Sequence, residues 1–139
     1  FNWLRESLLK PLRSGSRVIV ISSGAALGSG SPLSGGYAGA KASQRFITNY
    51  AREESQRGGL GISFTTVLPG LTPMTGLGRA AVQAYAARGG QSEHEYLRQL
   101  PASLTPEGAG AAVLELVHHD PVELAPDYLL TGDGLQKLG

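Results

Sequence analysis

The sequence predicts an α/β protein with a parallel sheet between helices. Three observations support this fold class. Segments with strand and helix patterns alternate along the 139 residues. The first strand, residues 18–21, is Val-Ile-Val-Ile, and an entirely apolar, β-branched strand is typical of a parallel sheet buried on both faces. The helical segments between the strands are long enough for the right-handed crossovers that join parallel strands.

The first half of the chain contains two predicted helices around the first strand. Residues 1 to about 12 form a helix, ended by Pro11, with one apolar stripe made of Phe1, Leu4, Leu8 and Leu12. After the strand, residues 24–36 are rich in Gly, Ala and Ser and predict a loop. A second helix begins near Tyr37, where apolar and small residues recur every four positions, and it ends at Gly58.

The second half predicts two more strands and the helices between them. Residues 62–67 alternate and form a strand, and residues 80–87 and 93–100 are helical. The last helix begins at Thr105. Its hydroxyl can cap the helix, Pro106 follows at the first helical position, and Glu107 places an acidic residue in the first turn. Residues 128–130 form a short strand before a turn. We expect the segment from Thr72 to about Leu104 to form a lid and pocket wall.

Composition excludes several function classes. The chain has 12 basic and 11 acidic residues and a net charge of +1, so nothing favours binding to nucleic acid or a membrane surface. Residues 18–40 form the longest uncharged run, but their glycines, serines and proline exclude a membrane span. The absence of cysteine excludes a disulfide framework and suits a reducing compartment, so we expect a cytoplasmic protein. His118, His119 and Asp120 are interpreted as a helix end, and no metal site is expected.

Residues 1–139 are predicted to form one partial domain, the C-terminal part of a longer protein. The chain has no initiator methionine and begins within a helix. Three parallel strands make a thin sheet, and nothing before residue 18 could flank the first strand on its outer side.

Polar residues follow two of the predicted strands. Ser22 and Ser23 end the first strand, and Pro69 and Gly70 end the second. Ligands of parallel α/β sheets bind at the carboxyl ends of the strands, so these residues mark the expected site. Ser22 is interpreted as a hydrogen-bonded strand-end residue, and Ser23 as the functional hydroxyl.

Tyr37 and Lys41 are four residues apart, which places both side chains on one face of the second helix. A free phenol has a pKa of about 10, and a cation within ~4–6 Å lowers it by roughly 1–3 units. Such a tyrosine can exchange a proton with an alcohol or a developing alkoxide, while Ser23 holds the substrate oxygen. None of the three accepts electrons, so redox chemistry here requires a hydride-carrying cofactor.

The sequence resembles the C-terminal half of the short-chain dehydrogenase/reductase family, without that family's N-terminal glycine-rich half. The resemblance rests on Val18-Ile19-Val20-Ile21-Ser22-Ser23, Tyr37-Ala38-Gly39-Ala40-Lys41, Leu68-Pro69-Gly70, Thr105-Pro106-Glu107-Gly108 and Leu130-Thr131-Gly132-Asp133-Gly134. It implies the C-terminal half of a doubly wound, Rossmann-like sheet with helices on both faces. It also implies hydride transfer between NAD or NADP and a small-molecule carbonyl or alcohol.

The resemblance implies a role for each site residue. Tyr37 is the acid/base, and Ser23 orients the substrate. Lys41 lowers the pKa of the tyrosine and holds the nicotinamide ribose. The implied cofactor-binding residues are Tyr37, Lys41, Pro69, Gly70 and a threonine, for which both Thr72 and Thr75 fit.

Two alternatives stay open at this point. One is a sugar epimerase or dehydratase of the extended branch, which uses the same Tyr-x-x-x-Lys pair. The other is a truncated, non-catalytic interaction protein of the same fold. We also expect a homodimer or homotetramer, because the first helix and the helix from Tyr37 carry more apolar surface than one sheet face can cover. Family members commonly dimerise through these two helices.

Overall fold

A computed structural model describes residues 1–28 and 30–138. The elements in chain order are helix α1 (Asn2–Leu9), strand β1 (Arg17–Ile21), a 3-10 turn (Gly24–Ala26), α2 (Gly35–Arg57), β2 (Ser63–Pro69), α3 (Gly76–Arg88), α4 (Glu93–Arg98), α5 (Pro106–His118), a second 3-10 turn (Pro121–Glu123), β3 (Asp127–Thr131) and β4 (Gly134–Leu138). Among the described helices, none is long and apolar enough to cross a membrane.

The sheet has the order β1-β2-β3-β4. As predicted, β1, β2 and β3 are parallel neighbours, and Ile21 pairs with Val67 near the carboxyl end of β1. The prediction of three strands was incomplete, because β4 adds a fourth strand antiparallel to β3. Thr131 pairs with Gly134 across a two-residue loop, and Gly134 has φ +103°. The residues interpreted only as a closing turn therefore form a hairpin, since glycine tolerates the positive φ that a tight reversal needs.

Helices cover both faces of the sheet, as predicted. On one face α1 and α2 pack on β1 and β2 in an apolar cluster that includes Leu4, Ala51 and Phe64. On the other face α5 packs on β2 and β3 through Leu116 and neighbouring residues. In β1, Val18 and Val20 contact the first cluster and Ile19 contacts the second, so alternate side chains of one strand serve two cores.

Strand β1 departs from the expected burial. Residues 17–20 are only half-buried and Ile21 is exposed. The physical reason is position: β2 pairs with one edge of β1, and no described residue pairs with the other edge. An apolar groove of about 610 Å³ between α1 and β1 runs along this side. That a further strand flanks β1 in a longer protein stays a prediction.

The predicted helix ends are mostly confirmed. Thr105 caps α5 by accepting a hydrogen bond from the Gly108 amide at 3.0 Å, with Pro106 at the first helical position. Gly58 follows the last residue of α2. Helix α1 ends at Leu9, earlier than predicted, because Pro11 has no amide hydrogen to donate and disfavours the α conformation at Lys10.

Candidate functional site

A cavity of about 580 Å³ lies at the carboxyl ends of β1 and β2. The strand ends and the start of α2 form one side, and α3 and α4 form the other. The cavity brings together six of the seven residues predicted for the site, namely Ser23, Tyr37, Pro69, Gly70, Thr72 and Thr75. Lys41, the seventh, is not among the lining residues.

The two serines after β1 have different hydrogen bonds. Ser22 is buried, and its hydroxyl donates to the Lys41 carbonyl oxygen at 2.9 Å, which ties the strand end to α2. This confirms its interpretation as a structural residue. The Ser23 hydroxyl oxygen accepts from the Ala25 amide at 3.2 Å, capping the turn that follows. Among the described residues the Ser23 hydroxyl donates to none, so its proton is available to a ligand in the cavity.

Tyr37 and Lys41 lie on one face of α2, as their spacing predicts. Tyr37 is 44% exposed and occupies the first turn of the helix, at the cavity wall. The Lys41 ammonium lies 5.8 Å from the centre of the Tyr37 ring and donates a hydrogen bond to Gln44 at 3.3 Å. A cation therefore lies beside a solvent-accessible phenol.

The two candidate threonines differ in how their hydroxyls are used. Thr75 caps α3: its hydroxyl oxygen accepts a hydrogen bond from the Gly78 amide at 3.0 Å, and the same hydroxyl donates one to the Thr72 carbonyl oxygen at 2.9 Å. The Thr72 hydroxyl has only a long contact of 3.4 Å with the Gly70 carbonyl. Thr72 is therefore the freer group for a ligand, and this distinction was not readable from the sequence.

The loop that carries Thr72 is held against Gly78. A Cβ on Gly78 would lie 1.8 Å from the Thr72 carbonyl oxygen, far inside van der Waals contact. Gly76, two residues earlier in α3, has open space where its Cβ would be.

We expect Gly78→Ala to destabilise the protein by about 2 kcal/mol and to displace the Thr72 loop, because backbone rather than a flexible side chain must move. Gly76→Ala is the matched control and is expected to be neutral or stabilising by up to about 1 kcal/mol. Urea unfolding of both variants measures the difference. Equal midpoints would contradict the close approach.

Residues of helices α3 and α4 line the cavity, as predicted for a pocket wall, and that these helices act as a lid stays a prediction. The Tyr85 and Tyr96 rings join them, with centroids 6.0 Å apart and a tilt of 58°. Both tyrosines also line the cavity, so the two rings pack on each other and form part of the cavity wall. Burial raises the pKa of the Tyr96 phenol, and the nearby Tyr85 raises it further. Tyr96 therefore stays uncharged at neutral pH.

Sequence reasoning missed the ion pair that holds α2 on the sheet. Asp127, at the start of β3, is buried, and its Oδ2 accepts from Arg45 Nε at 2.9 Å and Nη2 at 2.8 Å. Asn49 donates to the same oxygen at 3.1 Å. Arg45 is one helical turn beyond Lys41, so this contact anchors the helix that carries the tyrosine and lysine. No local pattern could reveal it, because 82 residues separate the partners.

The chain was compared with known proteins. No family model matches it, and no curated protein matches it. Solved structures do match over most of its length. They include sorbitol-6-phosphate 2-dehydrogenase from Erwinia amylovora, with a TM-score of 0.71, 17% identity, and coverage of 93% of this chain and 51% of that one.

Two further structures are similar. A short chain dehydrogenase family protein from Francisella tularensis matches with a TM-score of 0.69 and 22% identity, over 92% of this chain and 53% of that one. A protein from Burkholderia cenocepacia solved with bound NADP matches with a TM-score of 0.64 and 22% identity, over 97% and 49%. The chain thus spans about half the length of each. At these identities the likeness establishes the fold, which is that of half a doubly wound short-chain dehydrogenase, as predicted.

Proposed function

We propose that this chain is the catalytic part of an NAD- or NADP-dependent oxidoreductase that interconverts a carbonyl and an alcohol of a small molecule by hydride transfer. One observation carries the proposal. Ser23, whose hydroxyl donates to no described residue, and Tyr37 line one cavity at the strand ends, with the Lys41 ammonium beside the Tyr37 ring, in a sheet with the short-chain dehydrogenase fold. One of the similar structures holds NADP.

The residues around the cavity fit the nicotinamide half of such a cofactor. Gly24 and Pro69 bring the two strand-end loops together so closely that a Cβ on Gly24 would lie 3.2 Å from the Pro69 carbonyl oxygen. The Thr72 hydroxyl is free to bind a carboxamide, and the Lys41 ammonium can bind ribose hydroxyls. When bound, the cofactor would supply the hydride, and Tyr37 and Ser23 would act on the proton and the substrate oxygen.

The proton steps belong to Tyr37 and Ser23. In the reducing direction Tyr37 donates its phenol proton to the carbonyl oxygen as that oxygen becomes an alkoxide. The Ser23 hydroxyl donates a hydrogen bond to the same oxygen and stabilises its developing charge. The Lys41 ammonium places a positive charge beside the phenolate that is left, and the phenolate regains a proton from solvent. In the oxidising direction the phenolate takes the alcohol proton.

The proposal is tested with the intact protein, including any residues that flank this chain. Binding of NADH and NADPH is measured by fluorescence titration, and oxidation of the reduced cofactor is followed with a panel of ketones and aldehydes. We expect saturable binding of at least one cofactor and net oxidation that depends on the carbonyl. Isomerisation of a sugar without net change in free cofactor would instead support the epimerase alternative. Absence of cofactor binding would support the non-catalytic one.

We also propose a homodimer or homotetramer built on α1 and α2. Both helices expose large apolar side chains, with Trp3 90% and Phe46 71% exposed, and Tyr50 half exposed one turn beyond Phe46. Apolar patches of this kind mark interaction surfaces.

Glutamates at Ala42 and Phe46 are expected to dissociate the assembly, because two copies would bring like charges together at an apolar contact. Light scattering measures the mass, and Gln56→Glu at the far end of α2 is the matched control. An unchanged mass in the Ala42 and Phe46 variants would place the interface elsewhere, for example at the open edge of β1.

A further inference from the structure

We propose that the substrate of this site is uncharged and largely apolar beside its reacting oxygen, of the class of aromatic or alicyclic ketones and secondary alcohols. The inference rests on the proposed function and adds the substrate class. Of the described residues that line the cavity, none has a charged side chain. The lid contributes Leu77, Ala81, Tyr85, Tyr96 and Leu100.

The lid separates apolar from charged residues. Leu77, Ala81 and Tyr85 recur every four positions, so they share one face of α3, and this face lies on the cavity. The charged residues of the lid helices are all exposed and lie off the cavity; they are Arg79, Arg88, Glu93, Glu95 and Arg98. The charged side chains of the lid are therefore exposed to solvent and take no part in the cavity wall.

Large apolar side chains are also exposed in the lining and next to it along the chain. Leu77 lines the cavity and is 74% exposed, and Leu33 and Met74, which neighbour lining residues in the sequence, are 64% and 67% exposed. Leu33 has φ +58°, a left-handed conformation that costs a leucine energy. An exposed apolar side chain in a cavity wall is a group that an apolar ligand would cover.

An anionic substrate would lack a partner against this wall. Lys41, beside Tyr37 and Gln44, is outside the lining, and so are the arginines of α3 and α4. A carboxylate or phosphate placed against the lid would lose its water without gaining an ion pair, which is strongly unfavourable. The Tyr85 and Tyr96 phenols make no hydrogen bond within the described residues, so they can bind one neutral polar group such as a hydroxyl.

The test compares two ketones with the intact protein and its preferred cofactor: a neutral aromatic ketone, and the same ketone with a carboxylate on the ring. We expect kcat/KM for the neutral ketone to be higher by roughly 10- to 100-fold, mainly through KM. Equal values, or a preference for the carboxylate, would overturn the inference.

Two arginine variants make the test specific to the lid. Ala81→Arg places a cation on the cavity face of α3 and is expected to shrink the preference for the neutral ketone at least roughly tenfold. Ala87→Arg places the same cation at an exposed position of α3 outside the cavity lining and is expected to leave the preference unchanged. An equal effect of both variants would overturn the inference.

Direct binding separates this inference from the proposed function. If neither ketone is reduced, saturation-transfer NMR with the intact protein compares their binding. Binding of the neutral ketone alone, weakened by Ala81→Arg and not by Ala87→Arg, would support the apolar site while the redox function fails. Binding of neither ketone, or tighter binding of the carboxylate, would overturn the apolar site itself.

Discussion

Tyr37→Phe in the intact protein is expected to lower kcat by a factor of about 100 to 10,000, the usual contribution of general acid–base catalysis. The substitution removes one oxygen and leaves the ring at the wall of the cavity, so the site keeps its shape. Cofactor affinity is therefore expected to change little. Steady-state rates and fluorescence titration of the reduced cofactor measure the two quantities separately.

The matched control is Tyr50→Phe, the same chemical change on the same helix at a half-exposed position outside the cavity. It is expected to leave turnover unchanged. Lys41→Ala is expected to reduce both turnover and cofactor binding, because the lysine is proposed to act on the phenol and the ribose. Near-normal rates in Tyr37→Phe and Lys41→Ala would remove the proposed acid/base system.

Asp127→Ala is expected to destabilise the protein by about 3 kcal/mol, the lower end of the range for breaking a buried ion pair. The Asp127 side chain is 5% exposed, whereas Arg45 is 30% exposed and keeps some contact with water, which reduces the cost. The variant leaves the Arg45 guanidinium and the Asn49 amide without their shared acceptor. The midpoint of urea unfolding, at an unchanged slope, gives the loss.

A surface ion pair on the same helix is the control. Glu53 and Arg57 are 2.7 Å apart and both well exposed, so Glu53→Ala is expected to cost less than about 1 kcal/mol. A double-mutant cycle of Arg45→Ala and Asp127→Ala separates their coupling from the cost of each truncation. Additive effects, or a loss in Asp127→Ala no larger than in Glu53→Ala, would show that the buried pair does not anchor α2.

Short-range signals carried most of the correct predictions. The Thr105-Pro106 start of α5 and the Gly58 end of α2 are decided within one helical turn, by backbone groups that need a cap. The shared face of Tyr37 and Lys41 follows from the pitch of the helix alone. The parallel order of β1, β2 and β3 follows from the helical crossovers between them, which leave few other arrangements.

The sequence by itself therefore determined the fold class, the start of α5, the end of α2 and the chain positions of the predicted site residues. Only the tertiary structure decided what meets across the chain. It paired β4 with β3, joined Asp127 to Arg45, brought α3 and α4 to the cavity that Tyr37 lines, and gave the Thr72 hydroxyl a longer hydrogen bond than that of Thr75. The physical reason is the distance along the chain over which each interaction acts. Helix caps and side-chain periodicity act over a few residues, whereas ion pairing and cavity walls depend on groups that become neighbours only when the chain has folded.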